Sequence, residues 1–237
     1  AEVLVKLAEL GLPGDVAICR SFDRPNDKLV EAILAVETAR KQGARTVSLI
    51  APYLCYMRQD IAFAPGEAVS QRIVGRVLAD HFDAVVTVDP HLHRIATLAE
   101  AIPTGPAVAL SAAALFCAHV RQHEPDALLV GPDEESAQWL AAVARGHPFE
   151  TAVCRKLRRG DREVVIDMPS VRLAGRAVVL VDDMASTGTT LAVAARQCRA
   201  QGARTVDVLV VHGLFVGDAV ADLQRAGVRH VWSTDSV

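Results

Sequence analysis

Two aspartates followed by a run of small hydroxyl residues form the most informative chemical pattern in the sequence. Asp182 and Asp183 end an apolar run, and a helical pattern begins a few residues later. Between them lie the hydroxyl residues and one glycine: Ser186, Thr187, Gly188, Thr189 and Thr190. Backbone N–H groups at a helix start, with Ser and Thr hydroxyls, can cradle a phosphate dianion, and two carboxylates can bind sugar hydroxyls or hydrated Mg2+. The pattern predicts a sugar-phosphate site; an acidic turn with an ordinary N-cap is the alternative.

Four further segments carry residue types that could handle phosphates or a metal ion. Arg58-Gln59-Asp60 follows an apolar run closely, and an arginine there can meet phosphates as a forked donor; it could equally be a surface residue. His91 follows another run and could ligate Mg2+ or be structural. Asp133 lies between a strand and a helix, where an acid also suits the helix dipole. The basic run at 155–162 could face phosphates or be a solvated face.

Short apolar runs alternate with helical patterns along nearly the whole chain. Because strands buried on both faces of a parallel sheet read as continuous apolar runs, we predict an α/β fold with doubly wound parallel sheets. Predicted strands cover 15–19, 46–50, 84–88, 127–130, 177–181, 205–211 and 229–233; predicted helices cover 26–42, 70–82, 111–122, 134–145, 189–201 and 217–226. Ligands of such sheets bind at the carboxyl ends of the strands, where the residues above lie.

A repeated hexapeptide indicates two halves of similar fold. Gln-Gly-Ala-Arg-Thr-Val occurs at 42–47 and at 201–206, each time between a helix and a strand. Gly43 and Gly202 are therefore predicted helix C-caps. A generally favourable helix–turn–strand joint is the alternative explanation. With a boundary near Ala101–Pro106, where Pro103, Gly105 and Pro106 cluster, the predicted domains are residues 1–102 and 103–237.

Composition and charge exclude several classes of protein. A formal net charge of −3 and a pI near 6.3 argue against a nucleic-acid-coating protein. No apolar stretch reaches the roughly 18 residues that a membrane span needs, and no signal pattern opens the chain. The 5 cysteines are scattered without CxxC spacing, against a disulfide framework or metal cluster. We expect a cytoplasmic protein that binds neither nucleic acid nor membrane.

The sequence resembles the ribose-phosphate diphosphokinases, a family with the type I phosphoribosyltransferase fold. The segment from Asp182 to Thr190 resembles the family's phosphoribosyl-binding signature, and Pro52–Asp60 resembles its Pro-Tyr-x-x-Tyr-x-Arg-Gln-Asp segment. Other family-like segments run in family order from about Ser21 to Asp235. The resemblance implies transfer of the β,γ-diphosphoryl group of ATP to ribose 5-phosphate, with Mg2+ as cofactor, in nucleotide biosynthesis.

The resemblance also implies roles for individual residues. It implies ATP binding by Arg58, Gln59, Asp60 and Glu2, and Mg2+ binding by His91 and Asp133. It implies catalysis by His91, Lys156 and Arg158. Lys156 and Arg158 would lie on a mobile hairpin, where Arg155 and Arg159 are the alternatives. It implies ribose 5-phosphate binding by Asp182, Asp183, Ser186, Thr187, Gly188, Thr189 and Thr190. The first domain would be the ATP side, missing its first strands, since Glu2–Leu7 looks like the middle of a strand. The second would be the ribose 5-phosphate side, and a homo-oligomer is expected.

Two rival functions share the sugar-phosphate loop. A phosphoribosyltransferase would consume phosphoribosyl diphosphate, but has no use for the Arg58–Asp60 segment. A regulatory relative would bind the same ligands without turnover, a hypothesis favoured by the unusual Ile61–Phe63 and Glu134–Ser136 segments.

Overall fold

The structure, a computed structural model, describes residues 2–8, 14–159 and 163–237, and of these it describes only the backbone at 156–159 and 163–165. It divides into two compact units, Ala1–Ser111 with Ser236–Val237, and Ala112–Asp235. The predicted limits at 102 and 103 stay predictions, although the last strand of the first sheet lies beyond them.

The first unit contains a parallel sheet of four strands. Its elements are β1 (Asp15–Cys19), α1 (Pro25–Lys41), β2 (Thr46–Ala51), α2 (Ser70–His81), β3 (Ala84–Val88), α3 (Leu98–Ala101) and β4 (Ala107–Leu110). The strands pair in chain order, so β2 and β3 are neighbours in the middle of the sheet. Pro25 starts α1, where its missing N–H costs nothing. The loops that follow β2 and β3 therefore leave the same edge of the sheet.

The second unit contains a parallel sheet of five strands and a separate hairpin. Its elements are α4 (Ala113–His123), β5 (Leu128–Gly131), a 3-10 turn (Glu134–Ser136), α5 (Ala137–Ala144), β6 (Glu150–Val153), β7 (Arg155–Arg159), β8 (Glu163–Asp167), β9 (Ala177–Ala185), α6 (Thr189–Ala200), β10 (Thr205–Gly213), α7 (Ala219–Arg225) and β11 (Val231–Ser233). The sheet order is β11-β10-β9-β5-β6, and β7 pairs antiparallel with β8.

Mostly aliphatic side chains form the core of each unit, and Phe22 and Phe82 are also buried in the first. Val178, Val179 and Leu180 of β9 are fully buried, as their continuous apolar run predicts. The predicted α/β fold with parallel sheets is confirmed. Gly43 and Gly202 have positive φ angles of 103° and 83° directly after the C-cap residues, as predicted for helix ends.

Some predicted boundaries were wrong. Residues 2–8 adopt no regular structure, although Glu2–Leu7 alternates as a strand does; alternation without a partner strand to bond with is not enough. The helix predicted at 134–145 divides into a 3-10 turn and α5, because the Asp133 side chain accepts a hydrogen bond from the Glu135 N–H at 3.2 Å. Within the described residues, no helix is both long and apolar enough to cross a membrane.

Candidate functional site

The two aspartates of the sugar-phosphate pattern lie on β9 itself. The strand continues to Ala185 because its pairing with β10 continues, with Val210 opposite Asp182 and Gly213 opposite Ala185. The ladder fixes the backbone of both acids. Asp183 is only 3% exposed, whereas Asp182 is half-buried. The acids are thus held rigidly at the carboxyl end of a central strand.

Asp182 is held in surroundings that disfavour its negative charge. Burial, and then the neighbouring carboxylates Asp183 and Asp133, raise the pKa of Asp182 well above its usual value. The Asp183 N–H donates to Asp182 Oδ1 at 3.0 Å and opposes part of this shift. A cluster of carboxylates with such a member is suited to a cation or to hydroxyl donors.

The start of α6 supplies the anion-binding half of the pattern. Gly188 precedes the helix in a left-handed conformation with φ 68°, which L residues with a side chain rarely adopt. The hydroxyls of Thr187 and Thr189 lie 3.0 Å apart, both on exposed residues at the helix start. Free N–H groups of a first helical turn and these hydroxyls have the geometry and chemistry that can form a cradle for a phosphate.

A loop after β10 supports residues 185 and 186, and no pattern in the sequence predicts this loop as a site element. The N–H of Phe215 donates to the Ala185 carbonyl at 3.0 Å, and the N–H of Val216 donates to the Ser186 carbonyl at 2.9 Å. Phe215 has a φ of 42°, a strained value for an aromatic residue, and its ring fills the space over Gly213. Residues 211–215, one of the family-like segments between Ser21 and Asp235, were the available signal.

The loop after β5 brings a third acid to the same edge of the second sheet. Asp133 is 8% exposed and caps the 3-10 turn, and its carbonyl accepts from the Ser136 hydroxyl at 2.5 Å. A methyl group on Gly131 would lie 2.1 Å from Ser136 Oγ, so this turn requires glycine. Since β5 and β9 are adjacent and parallel, the loops that follow them meet. The Asp133 carboxylate is therefore among the groups that raise the pKa of Asp182.

The basic run forms the predicted hairpin. In β7 and β8, Lys156 is paired with Ile166 and Arg158 with Val164; the side chains of Lys156 and Arg158 lie outside the described residues. The base of the hairpin is tied to the acidic loop, because the N–H of Cys154 donates to the Gly131 carbonyl at 2.9 Å. A basic hairpin therefore rises directly beside the Asp133 loop.

In the first unit, the Arg58–Asp60 segment is packed against the start of α2. The Gln71 side chain donates to the Met57 carbonyl at 3.0 Å, and the Gln71 N–H donates to the Gln59 carbonyl at 3.2 Å. Arg58 is exposed and Gln59 half-buried, so both can reach a ligand. Asp60 differs: its side chain is 3% exposed, with Oδ1 bonded to Arg94 Nη1 at 2.7 Å.

The loop after β3 carries His91 and Arg94. Asp89, at its start, has a φ of 34°, and the rings of His91 and His93 meet edge to face with centroids 4.0 Å apart. Strained residues of this kind cluster at functional sites. Arg94 was not among the predicted site residues, and an arginine shortly after a parallel strand was the signal that could have found it.

The structure brings the predicted residues together in two groups. Asp133 and the predicted ribose 5-phosphate residues gather at one edge of the second sheet, and Arg58, Gln59, Asp60 and His91 gather at one edge of the first. Glu2 is exposed, in the irregular segment 2–8. His91 and Asp133, predicted to share a metal, belong to different units, and their shared metal stays a prediction.

Comparison with known proteins connects both units to one family. A family model described as the N-terminal domain of ribose phosphate pyrophosphokinase matches residues 1–81, and one described as a phosphoribosyl transferase domain matches residues 99–228. A crystal structure of phosphoribosylpyrophosphate synthetase from Mycobacterium smegmatis aligns with a TM-score of 0.85 at 24% identity, over 100% of this chain and 77% of that one. At that identity the likeness shows the fold.

Sequence relatives identify the family more closely. Ribose-phosphate pyrophosphokinase from Methanopyrus kandleri is 37% identical over 95% of this chain and 77% of the relative. The protein of the same name from Methanosarcina acetivorans is 35% identical over 90% of this chain and 73% of the relative. Because these relatives are at least 35% identical over most of their length and family models match both units, the chain belongs to the ribose-phosphate pyrophosphokinase family.

Proposed function

We propose that this chain transfers the β,γ-diphosphoryl group of ATP to the 1-hydroxyl of ribose 5-phosphate, giving phosphoribosyl diphosphate and AMP. The observation that carries the proposal is the rigid pairing of an acidic strand end with a glycine-initiated helix in one loop. The end of β9 offers acceptors for a sugar diol. The turn and the start of α6, which follow directly in the chain, offer donors for a sugar phosphate. Membership of the family agrees with it.

Ribose 5-phosphate is assigned to the second unit. The N–H groups and hydroxyls of residues 186–190 bind its phosphate. Asp182 and Asp183 accept hydrogen bonds from its 2- and 3-hydroxyls, which a carboxylate does strongly. Binding of hydroxyl donors or a cation relieves the repulsion within the carboxylate cluster. The ground-state strain of that cluster therefore favours occupancy of the site.

ATP is assigned to the first unit, with Arg58, Gln59 and Glu2 as contacts and the Asp60 loop as their support. In-line attack by the sugar 1-hydroxyl on the β-phosphorus needs positioning and charge neutralisation more than covalent work by the protein. Lys156 and Arg158 stabilise the charge that develops on the transferred group. His91 acts as the catalytic residue of the first unit.

The described acids fit Mg2+, a hard cation that prefers oxygen ligands. Burial and the neighbouring carboxylates Asp183 and Asp133 raise the pKa of Asp182. A bound cation would neutralise this group of three acids. Asp133 is the proposed Mg2+ ligand of the second unit, and His91 is the proposed ligand of the first. Bound Mg2+ would neutralise phosphate charge during transfer. The protein residues meanwhile orient the sugar and exclude water from its 1-hydroxyl.

One assay separates this function from its rivals. The protein is incubated with ATP, Mg2+ and ribose 5-phosphate, nucleotides are separated by anion-exchange chromatography, and the sugar product is followed by 31P NMR. We expect AMP and phosphoribosyl diphosphate in equal amounts, and no AMP when ribose 5-phosphate is omitted. A phosphoribosyltransferase or a non-catalytic relative would form neither AMP nor phosphoribosyl diphosphate in this assay. The absence of both products would contradict the proposal.

A further inference from the structure

One partly buried ion pair joins the loops that follow β2 and β3 in the first unit. Asp60 follows β2 and Arg94 follows β3, and the two residues are 34 positions apart in the chain. Arg94 Nη1 lies 2.7 Å from Asp60 Oδ1. Asp60 is buried to 3% exposure, whereas 47% of the Arg94 side chain is exposed. The pair therefore has a carboxylate anchored inside the protein and a guanidinium at its surface.

The guanidinium of Arg94 has donors to spare. Arginine carries five N–H donors in a planar fork, and among the described residues Arg94 makes only the bond to Asp60. Because nearly half of the side chain is exposed, the remaining donors face solvent. Asp60 fixes the position of the guanidinium through one N–H, and the N–H groups that face solvent can bind an anionic ligand.

The carboxylate of Asp60 is incompletely satisfied. Its Oδ2 is buried without a hydrogen-bond partner in the described part of the chain. A buried acceptor in that state is costly. Arginine can donate to both oxygens of one carboxylate, so the Arg94 fork has a second N–H to offer Oδ2.

Few other cations lie in these two loops. Residues 61–68 contain no Lys or Arg, and Arg58 is the one Lys or Arg between 52 and 69. Arg94 is the one Lys or Arg between 89 and 97. A polyphosphate bound at the carboxyl ends of β2 and β3 would meet Arg58 from one loop and Arg94 from the other.

We propose that Arg94 binds the polyphosphate of the nucleotide and that Asp60 is a positioning residue that acts through Arg94. This inference rests on the proposed function, since it assigns a phosphate contact in the ATP site. It also changes the role expected for Asp60. A buried carboxylate beside a polyphosphate would repel it, but a carboxylate neutralised by Arg94 holds the cation without adding net charge.

The test uses a nucleotide series and four variants. Binding of ATP, ADP, AMP and adenosine is measured by calorimetry for the unaltered chain, Arg94→Met, Arg94→Lys, Asp60→Asn and the double variant Arg94→Met/Asp60→Asn. Arg121→Met, at an exposed arginine of the second unit, is the matched control. Thermal unfolding of each variant checks that it is folded.

A phosphate contact predicts losses that grow with phosphate number. Loss of a charge-assisted hydrogen bond in Arg94→Met should weaken ATP binding roughly 10- to 100-fold and leave adenosine within about twofold, while Arg94→Lys recovers part of the loss. KM for ATP should rise while KM for ribose 5-phosphate does not. Asp60→Asn should weaken ATP binding less, and the double variant no more than Arg94→Met alone, since Asp60 acts through Arg94.

Three results decide the matter. Unchanged ATP binding in Arg94→Met, or equal loss for adenosine and ATP, overturns the inference while the proposed function stands. Additive losses in the double variant overturn the role of Asp60. If the unaltered chain binds no nucleotide and forms no AMP, the proposed function fails, and this inference fails with it. Should Asp60→Asn unfold, the Arg94 variants alone carry the test.

Discussion

Replacing Asp182 with asparagine should stabilise the empty protein and weaken its hold on ribose 5-phosphate. Burial and the neighbouring carboxylates raise the pKa of Asp182 in the folded state. A raised folded-state pKa contributes stability that is full below the unfolded value, about 3.9, and is lost as pH rises through the folded value. Above the unfolded-state value, the cost of carrying a negative charge at Asp182 therefore opposes folding. The Asp182→Asn substitution would remove that charge and keep the shape of the side chain.

The two effects have different magnitudes. Two adjacent carboxylates repel by about 1 kcal/mol even when water screens them fully, which corresponds to a rise in Tm of roughly 2–4 °C for a chain of this size. Loss of a charged acceptor for the sugar diol costs about 1.5–3 kcal/mol, which weakens ribose 5-phosphate binding roughly 10- to 100-fold. Stability and affinity should thus move in opposite directions.

The assay is scanning calorimetry of both proteins without ligand from pH 4 to pH 8, with isothermal titration of ribose 5-phosphate at pH 7.5. The stability advantage of Asp182→Asn should be greatest at high pH and should vanish toward pH 4. Asp126→Asn, at an exposed acid of the same unit, should change neither quantity. A variant that is less stable at pH 8, or that binds ribose 5-phosphate as tightly as the unaltered protein, would refute the reasoning.

Three further variants test other parts of the site. Gly188→Ala forces a side chain into the left-handed region at a cost of about 1–2 kcal/mol, and titration with ribose 5-phosphate should show weaker binding. The control is Gly175→Ala, at a glycine with a similar φ of 78°. This variant should lose stability but keep its affinity for ribose 5-phosphate. Gly131→Ala places a methyl group 2.1 Å from Ser136 Oγ, so it should lower kcat and Tm together. An unchanged kcat would argue against a role of the Asp133 loop in catalysis. Lys156→Ala should lower kcat by at least about 100-fold with little change in substrate binding, and unchanged steady-state turnover would eliminate its proposed role.

The sequence predicted the central strands well because burial on both faces leaves a continuous apolar run. β9 and β10 were found in this way, but their last residues were not, since pairing between them carries the ladder past the apolar segment into Asp182 and His212. β4 and β6 were missed because both are short and largely exposed, so they show no apolar run. A strand at a sheet edge is specified by its neighbour more than by its own residues.

The candidate site was predictable where one segment holds all of its chemistry. Asp182–Thr190 combines acids, hydroxyls and Gly188 within a single strand, turn and helix. The Asp60–Arg94 pair could not be seen, because two loops distant in sequence meet only after β2 and β3 pair. The support from Phe215 was hidden for the same reason, since it acts through backbone hydrogen bonds that carry no side-chain signature.

The most direct test of the central claim follows the phosphoryl groups of ATP into the sugar product. ATP labelled with 32P at the β-position is incubated with Mg2+, ribose 5-phosphate and the protein, and the products are separated. We expect the label to move to phosphoribosyl diphosphate while unlabelled AMP accumulates in equal amount. Label retained in ADP, or in ATP alone, would contradict it.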